Sequence, residues 1–334
     1  MSKADAAAAI LWVGATFYAL FGGADFGGGF WDLVAGGPER GQRPRDVIQR
    51  SLTPVWEANH VWLIFVLVVL WTAFPSAFSA IFTTLYVPIA LAALGIVLRG
   101  AGFAFRKSLI GLRERQAMGA TFAISSLVTP FFMGTVIGAI AAGNVPAAGN
   151  GDAFSSWLQP LPLLIGAMFV ASGAYLAAVF LVGDARRAED EEMERYFERR
   201  ALGAAVVAGA FAVAGLIALH GEARYVFDRL TDQGLPLVIL SLLCGAALLA
   251  VLLRGGRRPL RPLAAGAVTA VIWGWGVAQF PYLLPTSLRI DQAAAPDATM
   301  TIIFIVFAVA AVLVLPSLGL LYTLAQKDLL EAEH

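Results

Sequence analysis

The sequence predicts an all-α integral membrane protein with nine transmembrane helices, its N-terminus outside and its C-terminus in the cytoplasm. Three observations carry this. Of 334 residues, 59% are hydrophobic and only 14% charged, with a mean hydropathy of +0.76; a soluble chain carries about a quarter charged residues. The apolar residues come in unbroken runs of roughly 18 or more, the length a helix needs to cross a bilayer. A membrane β-barrel would instead alternate over segments of about ten residues. Finally, 19 of the 23 Lys and Arg residues fall in every second segment between the runs, and four in the others. The rich segments are cytoplasmic by the positive-inside rule.

The nine spans run over 7–34, 52–74, 78–98, 118–142, 158–182, 200–219, 235–253, 262–281 and 300–325, within a single polytopic domain of residues 1–334. The first lacks a basic leading region and a small-residue cleavage site, and reads as a retained helix. Its glycines, Gly22 to Gly29, lie too deep for a nucleotide loop and permit close helix approach. In the second span Trp71 suits the interfacial belt, whereas Trp62 falls near mid-membrane and must pack on protein or line a cavity. Residues 143–157 form an external connection rich in Gly, Pro and Asn, and 183–200 a solvated, mixed-charge cytoplasmic extension. The segment 281–297 folds over the external surface. Gly14-Ala15-x-Phe17-x-Ala19 is echoed by Gly166-Ala167-x-Phe169-x-Ala171, which suits two four-helix bundles plus one peripheral helix.

Several functions are excluded. The balance of 23 basic and 23 acidic residues provides no attraction to nucleic acid. A single cysteine, Cys244, makes neither a disulfide framework nor a cysteine metal site. Glu57-x-x-His60 matches half of a di-iron motif, but no second Glu-x-x-His exists, so no metal site is expected. Three histidines, His60, His220 and His334, are too few to ligate several haems.

The chemistry concentrates in two stretches. Asp25 sits in Phe21-Gly22-Gly23-Ala24-Asp25-Phe26-Gly27, and Glu57 in Pro54-Val55-Trp56-Glu57-Ala58-Asn59-His60. Carboxyls at membrane depth are costly and functional by default. At ~1.5 Å per residue, Glu57 is about 8 Å and His60 about 12 Å inside the cytoplasmic surface, with Asp25 also about 12 Å from it. Glu57 and His60 share a helix face, and Asp32 lies at the cytoplasmic mouth, seven residues after Asp25. With Asn59 and Thr53 these groups outline a half-membrane track suited to proton uptake, since burial moves carboxyls toward neutral titration. The structural alternative is that Asp25 bonds to backbone near its glycines and Glu57 pairs with His60.

These residues carry a resemblance. Tyr18-Ala19-Leu20-x-Gly22-Gly23-Ala24-Asp25-Phe26-Gly27-Gly28-Gly29, Pro54 to Trp62, Trp71-x-x-Phe74-Pro75-x-x-Phe78 and Leu98-Arg99-Gly100-x-x-Phe103-x-Phe105-Arg106 resemble subunit II of the cytochrome bd ubiquinol oxidase family. The motifs fill the first hundred residues, and beyond them the likeness rests on helix layout. The resemblance implies a subunit, not itself catalytic, of a proton-motive terminal oxidase in a prokaryotic cell membrane that reduces O2 to water with quinol. It implies two b haems and haem d held by a partner, subunit I, which this chain meets through a large apolar interface. It further implies a proton path at Asp25 and Glu57, a hydrophobic O2 route near Trp62, and in some members a structural quinone and a small single-helix accessory subunit. Two positions depart from the pattern: Glu57 stands where many members carry Asp, and His60 where they carry Gln. The competing reading is a proton-coupled secondary transporter, against which no span shows the paired helix breaks that substrate sites use.

Overall fold

The structure, a computed structural model, describes residues 2–37, 40–52, 56–108, 112–256 and 258–326, without the side chains of residues 52, 56–58, 106–108, 112, 113, 115, 322, 325 and 326. Thr53, His334 and the side chain of Glu57 therefore lie outside the described residues. Helices dominate because hydrocarbon offers no water to backbone N–H and C=O groups, which must pair within their own segment.

The chain opens with α1 (Lys3–Phe17), a π-helical turn (Tyr18–Gly22) and α2 (Gly23–Leu33), which together make one long span. Ser2 caps α1 by exchanging bonds with Asp5. Then come α3 (Gln42–Leu52), α4 (Trp56–Ala73), α5 (Pro75–Thr84) and α6 (Tyr86–Ser108). The long helices α7 (Leu112–Ala141), α8 (Pro160–Arg187) and α9 (Glu191–Glu222) precede the short α10 (Arg224–Thr231). After α11 (Leu235–Leu253) and α12 (Leu260–Gln279), a hairpin of β1 (Tyr282–Leu284) and β2 (Leu288–Arg289) leads through α13 (Ile290–Ala293) to α14 (Asp297–Gln326). The hairpin is antiparallel and pairs Tyr282 with Arg289 and Leu284 with Leu288.

Among the described residues eight helices are long and apolar enough to cross a membrane, and a ninth span results if the bent pair Asn59–Ala73 and Pro75–Thr84 is taken as one. That pair is where the structure departs from the hydropathy reading. The third crossing starts at Tyr86, not near residue 78, and runs past residue 98 to Phe105. Residues 75–84 instead form α5, turned 116° away from α4. Pro75 explains the break: it occupies the first turn of α5, where its missing N–H is harmless, while Phe74 leaves the helical region at φ −135° and ψ 60°. Both segments are apolar, so hydropathy cannot see the corner.

At the core, α8 lies against α2, α7 and α9, with α6 packed along α7 and α11 along α12. Phe74, Leu85, Leu284 and Met300 close one end beneath the hairpin. The opposite end carries α3 and the α8–α9 turn, joined by Arg43, which pairs with Asp190 at 3.0 Å and with Glu192. We call these the hairpin end and the basic end. Most of α14 and α11 is uncovered, and the side chains they expose are apolar, as in Leu243, Val312 and Leu313.

Asp190 caps α9 by accepting from the Met193 amide at 3.1 Å. Partial burial alone would raise its carboxyl, but the Met193 amide and the Arg43 guanidinium outweigh that and hold it below the usual carboxylate range. A lowered folded value stabilises above the unfolded value of about 3.9, and the contribution disappears as pH falls through the lowered one. Amide exchange in the first turn of α9 is therefore expected to be slow at neutral pH and to lose protection in acid. Asp190→Ala should raise that exchange at neutral pH, by a cap loss of about 1 kcal/mol.

Candidate functional site

The site is a buried ion pair joining three helices. Arg99 of α6 and Asp25 of α2 are each 2% exposed. Arg99 Nη1 donates to Asp25 Oδ2 at 2.8 Å and Nη2 to Oδ1 at 2.7 Å, a fork-to-fork pair, and Nη2 also reaches the Asp25 carbonyl at 3.1 Å. Arg99 Nε donates to Ser126 Oγ of α7 at 2.9 Å, and that hydroxyl donates to the Phe122 carbonyl at 2.6 Å. The Phe26 and Phe122 rings each lie 4.9 Å from the guanidinium carbon. Both charges are thus engaged by opposite charge, hydroxyl and ring face, the condition under which a charge survives burial. Alternatives with Asp25 bonded only to its local backbone do not describe this geometry.

Glycine makes the convergence possible. A Cβ on Gly27 would stand 1.9 Å from the Gly173 carbonyl oxygen of α8, and one on Gly29 would stand 2.1 Å from Ser126 Oγ. The deep glycines therefore do bring α2 against its neighbours, and the neighbours are α8 and α7. Just before Asp25, the π-helical turn widens the backbone by one residue per turn, a feature that recurs at functional sites. Asn59 of α4, itself buried, donates to the Phe21 carbonyl inside that turn at 3.4 Å. Tyr18, in the same turn, donates to Met133 Sδ at 3.6 Å.

The other sequence-predicted residues fall around this centre. Asp32, buried at the end of α2, pairs with Arg45 Nε of α3 at 3.0 Å, while Arg45 Nη2 binds the Gly36 carbonyl at 2.6 Å. Glu57 lies in the first turn of α4 by its backbone, and its side chain is outside the described residues. His60 is half-buried one residue beyond Asn59. Trp62 stacks on Phe17 with ring centroids 4.5 Å apart and meets Phe65 edge-on, and its indole N–H is buried without a hydrogen-bond partner among the described residues. Asp25 and Asp32 thus sit on one helix, each under an arginine from a different element.

Sequence reasoning missed Arg99 as a site residue. It placed this arginine in a cytoplasmic segment, because the third span was started too early and so ended at residue 98. The available signal was the helical run continuing past it, with Phe103 and Phe105 still apolar. Ser126 offers no sequence signal at all.

Both ring nitrogens of His220 face Arg224 at 3.1–3.2 Å, and the Met133 sulfur is taken by Tyr18. Among the described residues no group of three or more His, Cys, Asp and Glu side chains is arranged to hold a metal ion.

Comparison with known proteins reaches across nearly all of the chain. A putative cytochrome bd menaquinol oxidase subunit II from Bacillus subtilis (strain 168) is 21% identical over 333 residues, spanning 96% of this chain and 95% of that one. Subunit 2 of the cytochrome bd-I ubiquinol oxidase from Escherichia coli (strain K12) is 28% identical over 232 residues, 65% of this chain and 57% of that one. The fold matches a chain of the bd oxidase from Geobacillus thermodenitrificans with a TM-score of 0.74 at 23% identity, over 97% of this chain and 98% of that one. The family model for cytochrome bd terminal oxidase subunit II matches residues 4–325. A match of that extent, over a helical scaffold that buries the Asp25 motif at its centre, places this chain in the cytochrome bd terminal oxidase subunit II family.

Proposed function

We propose that this chain works as the subunit of a quinol:O2 oxidoreductase that leads protons from the cytoplasm toward haems carried by its partner, subunit I. The observation that carries the reading is the frame of two buried, arginine-held carboxylates on α2, Asp32 and then Asp25, next to the start of α4 that Asn59 ties to Phe21. The basic end is the cytoplasmic one by the positive-inside rule. By the family resemblance the two b haems and haem d belong to subunit I, and the engagement of His220 and Met133 by neighbours on this chain supports that. Exposed apolar side chains on α4 and α6, among them Ile64, Val68, Leu94 and Val97, are the surface offered to that partner.

Within the path, roles divide by geometry. Asp25 is committed to Arg99 through two charge-assisted bonds, so it acts as a fixed centre that orders the groups around it. Glu57 and His60, three apart at the start of α4, share a helix face beside Asn59 and carry the mobile proton. Asp32 lies at the entrance, with Arg45 over it. Trp62, packed on Phe17, borders a hydrophobic route for O2. The family match over the whole chain leaves the transporter reading without support of its own.

Glu57→Gln tests the assignment in the intact complex. Quinol-dependent O2 consumption is expected to fall at least about tenfold, within the usual reach of a positioned acid–base group, with the haem absorbance unchanged. Full turnover in this variant would remove Glu57 from the path.

A further inference from the structure

An apolar groove of about 590 Å³ opens on the flank of the helix core, walled by α2, α7, α8 and α9. Trp31 and Arg200 stand at its basic end, and Phe131, Val170, Val207 and Phe211 line the rest. Along α9 it extends from Arg200 to Phe211, about 16 Å at ~1.5 Å per residue. That is one leaflet of a hydrocarbon core about 30 Å thick. Val207 is 49% exposed on its wall, so the groove opens sideways, where the bilayer lies.

The charge at the mouth identifies the occupant. Arg200 bonds the Tyr196 carbonyl at 3.2 Å and lies over the Tyr196 ring, with the Trp31 ring 5.9 Å away. Among the described residues no carboxylate pairs with it, unlike Arg99, Arg186 and Arg261, each of which meets an acid. Arg199 beside it is exposed. Trp31 is held in place by its indole N–H on the Ala174 carbonyl at 2.8 Å and presents its ring as groove wall. A cation without a counter-ion, set at headgroup level above a one-leaflet apolar slot, is complementary to an anionic lipid. We propose that the groove holds one acyl chain of an anionic phospholipid, its phosphate on Arg200. The inference rests on the membrane reading of the chain and not on the proton path.

Lipid retention tests it without turnover. The intact complex is placed in phosphatidylcholine nanodiscs doped with phosphatidylglycerol and released for native mass spectrometry. Wild type is expected to retain one phosphatidylglycerol in preference to phosphatidylcholine. Arg200→Gln should reduce that preference about tenfold or more, as for loss of a charged hydrogen bond. Gly203→Leu should remove the bound lipid whatever its headgroup; Gly203 lines the groove and a Cβ there meets no protein atom within 4 Å, so the leucine extends into the groove space. Equal retention of both lipids by wild type would overturn the proposal, and so would a retained quinone, in place of phospholipid, that Gly203→Leu displaces. The wild-type competition decides the matter by itself should a variant fail to assemble.

Discussion

Arg99→Leu is expected to destabilise the protein by about 3–5 kcal/mol, the range for stranding one member of a buried ion pair. Asp25 would be left at 2% exposure with the bonds to Nη1 and Nη2 gone. Ser126 would lose its donor as well. The expected readout is a steep drop in the thermal midpoint of the purified complex, or failure to accumulate it. Asp25→Asn strands Arg99 in turn and should also destabilise, eased only by the amide oxygen, which still accepts from the guanidinium, while the amide NH2 meets a guanidinium N–H. Combining Asp25→Asn with Arg99→Gln should recover part of what Arg99→Gln loses by itself. A cycle over these variants should show coupling in the range of about 0.5–3 kcal/mol seen for residues in direct contact. Additive effects would mean that the pair is not a unit. The same variants separate stability from proton transfer: Asp25→Asn should lower stability first, whereas Glu57→Gln should spare stability and lower turnover.

Gly27→Ala is expected to be the next most damaging change, although it adds a single methyl. The new Cβ would stand 1.9 Å from the Gly173 carbonyl oxygen and 2.3 Å from its carbon. Backbone cannot yield as a flexible side chain does, so α2 and α8 must separate, at about 1–3 kcal/mol or more for overpacking. The separation would also move Asp25, two residues earlier, off its arginine. Gly209→Ala is the control: no atom lies within 4 Å of its would-be Cβ, and helix propensity there favours alanine by up to ~1 kcal/mol. Thermal midpoints of the two variants should fall on opposite sides of wild type or nearly so. A neutral Gly27→Ala would contradict the close α2–α8 approach.

The sequence carried much of this site, though unevenly. Asp25, Asp32, Glu57 and His60 stood out because ionisable groups in apolar runs are rare and expensive, a property of the local residues alone. The glycines near Asp25 announced a close helix contact, but any of several helices could have supplied the partner. Arg99 was hidden by a boundary: α5 and the start of α6 are both apolar, so the turn at Phe74-Pro75 left no trace in hydropathy, and the third span was ended at residue 98, just short of Arg99. The groove at Arg200 was equally hidden, since its walls come from four helices spread between residues 30 and 211.

What the sequence determined by itself was the class, the run of apolar helices and the presence of costly carboxyls within them. Each depends on transfer between water and hydrocarbon, which adds up residue by residue along the chain. The tertiary structure alone decided that Asp25 is committed to Arg99, 74 positions away, with Ser126 as third member and Phe26 and Phe122 as walls. The physical reason is that partner choice depends on which helix faces meet and how closely. Apolar helices in an apolar solvent all satisfy the same hydropathy, so only packing sets where two buried charges find each other.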